Sequence, residues 1–222
     1  MELTHSLEDY LETIYLLCTE SKIARVRDIA AARGVTAASV GTALKRLSQM
    51  GLIVYERREY ITLTDEGKVA ALKIYSRHQI LFQFFHKILG MEKEAAQEEA
   101  CGLEHALSDE GMERIVRFFE QLSSNEEGEC IRIGEGIRPQ NTGVQSNIFD
   151  LPVGKKAVIK RVLKTQNNIR PRLLDMGIIP NLEIVKERAA LGGDPIWVKV
   201  NGTHLALRKS EAQAIIVYEK FE

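Results

Sequence analysis

Apolar residues recur at helical spacing over the first fifty residues and then give way to two short β-rich runs. The spacing predicts a helix over 4–20, a second over 26–32 that stops at Gly34, and a third over 36–49 that starts at Thr36. The runs 52–55 and 60–63 flank a charged turn and predict a hairpin. This order of elements is that of a winged helix-turn-helix, which we place at residues 1–64.

Three further helices are predicted over 65–89, 92–106 and 109–122. They carry more apolar side chains than a small DNA-binding unit needs, which predicts a dimer interface within residues 65–122. The competing interpretation is the core of a monomer. The apolar positions are Leu81, Phe82, Phe85, Ile88, Leu103, Leu107, Ile115, Phe118 and Phe119.

Residues 123–150 lose all periodicity and are rich in glycine and polar residues, so they are interpreted as a linker. From residue 151 to 222 the chain shows several short β-rich runs separated by turns, which favours a small all-β barrel. The expected fold is therefore mainly helical in its N-terminal half, with a winged helix-turn-helix and a helical dimerisation domain, followed by a small all-β barrel.

The composition of the 222-residue chain suits two or three small domains and an intracellular protein. No apolar run reaches the length of a membrane span, and the first residues lack the pattern of a signal peptide. Three widely spaced cysteines do not make a disulfide framework, so we expect a reducing, cytoplasmic environment.

The net charge of −1 conceals a strong asymmetry. Residues 22–58 contain eight basic residues against two acidic ones, whereas residues 91–130 contain twelve acidic residues against three basic ones. A basic patch on a nearly neutral chain indicates a polyanionic partner at one site, such as DNA. Ordinary solvated helix faces are the alternative.

Two groups of residues have the chemistry of a metal site. Cys101, Glu104 and His105 are spaced to share one face of a helix, and Asp9 and Glu12 are spaced to share a face of the first helix. A thiolate, carboxylates and an imidazole suit a divalent transition metal. Taken singly, each residue is equally compatible with a core or surface position. Without an obvious nucleophile-and-base group or glycine-rich phosphate loop, we do not expect an enzyme.

Residues 4–122 resemble the diphtheria toxin repressor family of metal-dependent bacterial transcription repressors. The resemblance lies in the stretch 6–15, the winged-helix order, Arg77-His78 and the long run 99–110, Glu-Ala-Cys-Gly-Leu-Glu-His-Ala-Leu-Ser-Asp-Glu. Residues 151–219 resemble the SH3-like domain of ferrous-iron transport accessory proteins, through the runs 172–177, 192–195 and 205–208. The resemblance implies a cytoplasmic homodimer that represses transcription from palindromic operators when loaded with iron(II) or manganese(II).

The resemblance also implies a set of metal ligands. Its primary site corresponds to Asp9, Cys101, Glu104 and His105, with His78 at a second site and Glu12 at a ligand of the manganese branch. The set is a hybrid, because the iron branch usually has Met at position 9 and the manganese branch usually has Glu at position 101. Two further ligands of the iron branch are replaced by Phe82 and Gln97. Cys101 and the iron-transport-like barrel favour iron(II), with manganese(II) as the alternative.

The third helix is expected to be the recognition helix. Side chains near its start would reach phosphates and bases, and the arginines of the preceding loop and the wing would add phosphate contacts. The expected DNA-binding residues are Arg25, Arg27, Thr36, Ala37, Ser39, Thr42, Lys45, Arg46, Arg57 and Arg58. Base preference does not carry over, because the family often has Gln at position 42 and Pro at position 38.

The expected switch is electrostatic. Asp9, Glu12, Cys101 and Glu104 would repel one another when close, and a bound cation would neutralise them and draw the first helix against the dimerisation helices. A winged-helix regulator that ignores metal and senses through its C-terminal barrel is the remaining alternative.

Overall fold

The computed structural model describes residues 3–21, 23–55, 60–124, 145–163, 169–200 and 202–219. The chain forms two compact units, residues 1–75 and 76–222. No helix in the described part of the chain is both long enough and apolar enough to cross a membrane.

The first unit has the predicted order of three helices and a hairpin. Its elements are α1 (His5–Ser21), α2 (Val26–Arg33), α3 (Ala37–Gln49), β1 (Ile53–Val54) and β2 (Thr62–Leu63). The two strands pair antiparallel, with Ile53 opposite Leu63 and Val54 opposite Thr62. The wing turn 56–59 lies outside the described residues. The winged-helix order predicted for residues 1–64 is thus confirmed.

Local chemistry sets the geometry between α2 and α3. Gly34 ends α2 in the left-handed region at φ 64°, where its N–H bonds to the carbonyls of Ala30 and Ala31. Thr36 then caps α3, its hydroxyl accepting a hydrogen bond from the Ser39 N–H. The apolar faces of the three helices close over one core, whose fully buried side chains include Leu11, Ile14, Ile29, Leu44 and Leu47.

A glycine at the start of α4 (Asp65–Gln83) lets this helix approach the hairpin closely. A Cβ built on Gly67 would lie 1.8 Å from the carbonyl oxygen of Leu52. Thr64 strengthens the same junction, because its N–H donates to the Leu52 carbonyl and its hydroxyl donates to the Gly51 carbonyl. Only glycine fits at position 67 without a backbone shift.

The second unit begins within α4, which ends at Gln83 and passes into a π-helical turn, Phe84–Ile88. Two more helices follow, α5 (Lys93–Leu103) and α6 (Asp109–Ser124). Two boundaries differ from the predictions. The helix predicted over 65–89 changes its hydrogen bonding at Phe84, and the helix predicted over 92–106 ends at Leu103, three residues earlier. The reason for the second difference is given below with Arg77.

The C-terminal half of this unit is an antiparallel sheet, as predicted. Among the described residues, six strands lie in the order β3-β8-β4-β5-β6-β7. The elements are β3 (Gln145–Asn147), β4 (Lys156–Val162), α7 (Ile169–Asp175), β5 (Glu183–Ala189), β6 (Ile196–Val200), β7 (Thr203–Leu207), α8 (Lys209–Ala214) and β8 (Ile215–Glu219). Alternate residues face the core, for example Ile196, Val198 and Val200 in β6.

The sheet begins earlier than the sequence indicated. β3 pairs with β8 through Gln145 and Tyr218, so residues 145–147 belong to the sheet and not to the predicted linker 123–150. The polar sequence of this edge strand gives no alternation to detect. Within the second unit the sheet packs on α6, a position that the sequence did not determine. Val162 N–H donates to the Glu120 carboxylate across this junction, at 3.2 Å.

Candidate metal centre and nucleic-acid interface

α3 presents one continuous exposed face. Val40, Ala43, Leu44 and Leu47 are buried, which leaves the opposite side of the helix to solvent. Six of the predicted DNA-binding residues are exposed there: Thr36, Ala37, Ser39, Thr42, Lys45 and Arg46. The first turn carries no acidic side chain, and Arg46 lies in the last turn. Small and basic side chains without acidic neighbours make this face suitable for the major groove of DNA.

Three hydroxyl groups on this face also make local hydrogen bonds. Thr36 Oγ1 lies 3.0 Å from Ser39 Oγ and 3.2 Å from its N–H, and Thr42 Oγ1 donates to the Ala38 carbonyl at 3.1 Å. A hydroxyl group has one donor and two acceptor positions, so these bonds use only part of its capacity. The local bonds fix the side-chain orientations at the start of α3.

The other predicted DNA contacts have different surroundings. Arg25 is exposed, and its guanidinium lies 5.4 Å from the centre of the Tyr60 ring. Arg27 is also exposed, and its Nε lies 3.1 Å from an Asp28 carboxylate oxygen. Arg57 and Arg58, predicted in the wing, lie outside the described residues. The structure therefore places Arg25 beside the hairpin and Arg27 on the first turn of α2.

Two of the predicted metal ligands lie on α1 in the first unit. Asp9 and Glu12 are both half-buried and stand three residues apart on the helix. The Asp9 carboxylate is bound by Arg33, the last residue of α2, with Nη2 and Oδ2 2.6 Å apart. Sequence reasoning did not single out Arg33 as anything but a surface charge, since no local pattern links positions 9 and 33.

Three others form a compact cluster in the second unit, centred on Glu104. His78 Nδ1 lies 2.6 Å from Glu104 Oε2, and His105 Nε2 lies 3.2 Å from Glu104 Oε1. The Glu104 side chain is fully buried, and those of His78 and His105 are nearly so. Within the described residues of this unit, Glu104 Oε1 accepts no hydrogen bond.

Arg77 shapes the turn that carries Glu104 and His105. Its Nε donates to the Glu104 carbonyl at 2.8 Å, its Nη2 donates to the Leu107 carbonyl, and its Nη1 binds the Asp109 carboxylate at 2.7 Å. The carbonyls at the end of α5 are thus satisfied by a side chain instead of another helical turn, which explains the early end of the helix. Arg77 was known from the sequence only as part of the Arg77-His78 resemblance.

Gln97 supports His78 from α5. Its amide lies 2.7 Å from His78 Nε2, so both ring nitrogens of His78 have a partner and the ring orientation is fixed. The sequence marked Gln97 only as a missing ligand. The structure shows that it is a hydrogen-bonding neighbour of the proposed ligand His78.

Cys101 differs from its predicted companions. It lies on α5 and is exposed, whereas Glu104 is buried on the turn that follows the helix. The expectation that Cys101, Glu104 and His105 share a face of one continuous helix is therefore wrong, because α5 ends at Leu103. Whether the thiol is a ligand remains a prediction.

The chemistry of the cluster fits a divalent transition metal. A buried carboxylate costs free energy unless a cation or hydrogen bonds compensate it. Arg77 is engaged with the backbone of Glu104, and in the described part of the second unit the carboxylate of Glu104 has only imidazoles within ion-pair distance. Carboxylate oxygen and imidazole nitrogen are common donors for iron, manganese and zinc.

Three protein-family models match successive parts of the chain. Residues 2–60 match the iron dependent repressor N-terminal DNA binding domain, and residues 64–132 match the iron dependent repressor metal binding and dimerisation domain. Residues 148–219 match the FeoA domain.

Individual relatives match about half of the chain. An uncharacterized HTH-type transcriptional regulator of Methanocaldococcus jannaschii is 38% identical over 121 residues, 54% of this chain and 97% of the relative. The HTH-type transcriptional regulator MntR of Bacillus pumilus is 38% identical over 121 residues, 53% of this chain and 83% of the relative. Among solved structures, T. acidophilum IdeR covers 96% of this chain and 97% of its own, with 24% identity and a TM-score of 0.48.

Proposed function

The chain belongs to the iron-dependent repressor family of metal-dependent transcription regulators, and on that premise we propose that it is a repressor whose co-repressor is iron(II). The observation that carries the proposal is the buried Glu104 carboxylate between His78 and His105, with one oxygen that accepts no hydrogen bond from the described residues of its unit. Such a group is suited to binding a cation rather than to stabilising the fold.

We propose that Glu104, His78 and His105 hold the ion together with Asp9, Glu12 and Cys101. The last three enter through the sequence resemblance. A bound divalent ion would supply the positive charge that these carboxylates lack. Two other residues position the ligands. Arg77 holds the turn that presents Glu104 and His105, and Gln97 holds the ring of His78.

Manganese(II) is the second candidate. The cluster offers a buried carboxylate, whose oxygens manganese prefers, and the one thiol of the predicted set is exposed. The family model matched over residues 64–132 is named for an iron dependent repressor, which favours iron. Affinity alone does not separate the two ions, because they are neighbours in the Irving–Williams order.

We propose that the exposed face of α3 reads a palindromic operator and that two copies of the chain bind it as a homodimer in the cytoplasm. The match to a dimerisation domain over 64–132 supports the homodimer. Apolar side chains in that region, such as Phe82, Phe85 and Phe118, are partly exposed and could pack against a second copy. A two-fold dimer of this kind would present two α3 helices to two half-sites.

The first experiment is operator selection under anaerobic conditions, with the purified protein and fragmented genomic DNA, in iron(II), in manganese(II) and in chelator. We expect a palindrome to be enriched only with metal, and the ion that acts at the lower free concentration is the co-repressor. Equal enrichment in chelator would contradict the proposal and turn attention to the C-terminal sheet as the sensor.

A matched pair of variants ties the response to the cluster. Glu104→Gln removes the charge of the buried carboxylate and should abolish metal-stimulated operator binding. Glu110→Gln removes the charge of an exposed carboxylate on α6 and should leave it unchanged. The proposed centre would be wrong if both variants kept the metal dependence of the unchanged protein while remaining folded.

A further inference from the structure

One of the proposed metal ligands is already bound to a cation that belongs to the chain. Arg33 Nη2 lies 2.6 Å from Asp9 Oδ2, and the two side chains retain 29% and 20% of their exposure. Both residues lie in the first unit, Asp9 on α1 and Arg33 at the end of α2. The guanidinium thus neutralises a carboxylate that the sequence resemblance assigns to the metal.

The surroundings of Arg33 show that this guanidinium is held in place but incompletely hydrogen-bonded. It lies over the ring of Tyr10, 5.6 Å from the ring centre, next to Asp9 on the same helix. Its Nε is buried and has no hydrogen-bond partner among the described residues. Its Nη2 donates to Asp9 Oδ2 at 2.6 Å, a charge-assisted hydrogen bond.

We propose that Arg33 is the resident counter-cation of Asp9 and that it sets the metal concentration at which the protein responds. The inference rests on the proposed role of Asp9 as a ligand. In the metal-free protein the guanidinium stabilises the half-buried Asp9 carboxylate. When Asp9 serves as a ligand, the guanidinium opposes the incoming positive charge and weakens its binding.

The electrostatics fix the sign of the effect. Removing a positive charge from the immediate neighbourhood of a divalent ion removes a repulsion. The guanidinium and the metal ion would both contact the Asp9 carboxylate, so they would lie only a few ångströms apart. Even with the dielectric constant of water, the repulsion between them corresponds to about a tenfold change in metal affinity. A purely orienting role for Arg33 would give the opposite sign, because Asp9 would lose its support.

The test compares three arginine variants of the full chain. Arg33→Gln should bind manganese(II) about tenfold more tightly in competition with a fluorescent chelator, and Arg33→Lys, which keeps the charge, should stay within about twofold of the unchanged protein. Arg114→Gln is the control, because it removes an arginine whose ion pair with Glu110 is exposed and involves no proposed ligand. Unchanged or weaker binding by Arg33→Gln would overturn the inference.

Two further measurements separate this inference from the proposed function. Asp9→Asn should lose manganese(II) affinity; if it keeps the affinity of the unchanged protein, Asp9 is no ligand and the inference on Arg33 fails, whereas the proposed function is tested by Glu104→Gln. If Asp9→Asn loses affinity and Arg33→Gln gains none, only the role of Arg33 fails. Thermal melting of the metal-free proteins reports whether each variant is folded. If Arg33→Gln is poorly folded, Arg33→Met replaces it, because it keeps an aliphatic side chain over Tyr10 and should bind manganese(II) more tightly for the same reason.

Discussion

The position of the C-terminal sheet depends on one buried arginine, and removing it gives the sharpest stability prediction. Arg170 lies on α7 with its side chain only 6% exposed. Its guanidinium binds both carboxylate oxygens of Glu120 on α6, at 2.6 and 2.8 Å, and its Nε binds Glu113 at 3.1 Å. It also donates to the carbonyl of Val162. Burial alone would lower the pKa of Arg170, but the two carboxylates outweigh it and raise the pKa, so the charge is permanent.

The expected cost of Arg170→Ala follows from this arrangement. Removing one partner of a buried ion pair costs about 3–5 kcal/mol, because the other charge is left without compensation. Glu120 and Glu113 keep 16% and 25% of their exposure, and Glu113 also pairs with Arg117, so the lower limit applies. We expect a loss of about 3 kcal/mol, which corresponds to a fall of roughly 6–12 °C in melting temperature.

The assay is urea unfolding followed by the fluorescence of Trp197, the one tryptophan of the chain, which lies in β6 of the sheet. Arg114→Ala is the matched control, because Arg114 pairs with Glu110 on the same helix with both side chains 75% exposed. It should cost no more than about 0.5 kcal/mol. Equal stabilities for the Arg170 and Arg114 variants would refute the idea that the buried network holds the sheet on α6.

Three other predictions test separate parts of the chain. Gly67→Ala should destabilise the first unit by about 1–3 kcal/mol, because its methyl group would meet the Leu52 carbonyl, whereas Gly41→Ala, with open space around it, should be neutral or stabilising in the same melting experiment. Lys45→Ala should weaken operator binding and reduce the slope of log affinity against log salt by about 1, and Lys68→Ala, on α4, should not. In a Cys130→Ser variant, iodoacetamide should modify the exposed Cys101 before Cys18, because burial raises the pKa of the Cys18 thiol. Metal should slow the modification of Cys101 if that thiol is a ligand. An unchanged rate would exclude Cys101 from the set of metal ligands.

Most elements of the fold could be predicted because their signals are local. The apolar spacing in α1 to α3, the stop at Gly34 and the cap at Thr36 act over a few residues, and each agrees with the structure. The end of α5 could not be predicted, since it depends on Arg77, which is 27 residues away from Glu104 along the chain. The strand β3 escaped detection because its three residues are polar and lie at an edge of the sheet.

The sequence by itself determined the class of protein, the order of its domains and a set of residues with the chemistry of a metal site. Only the tertiary structure decided which of these are neighbours within a unit and which charges compensate them. It joined Glu104 to His78, Asp9 to Arg33 and Arg170 to Glu120, pairs that are separated by 26, 24 and 50 residues. The physical reason is that periodicity acts between residues near one another in the chain, whereas buried charges are compensated by whichever groups the packing brings within hydrogen-bond distance.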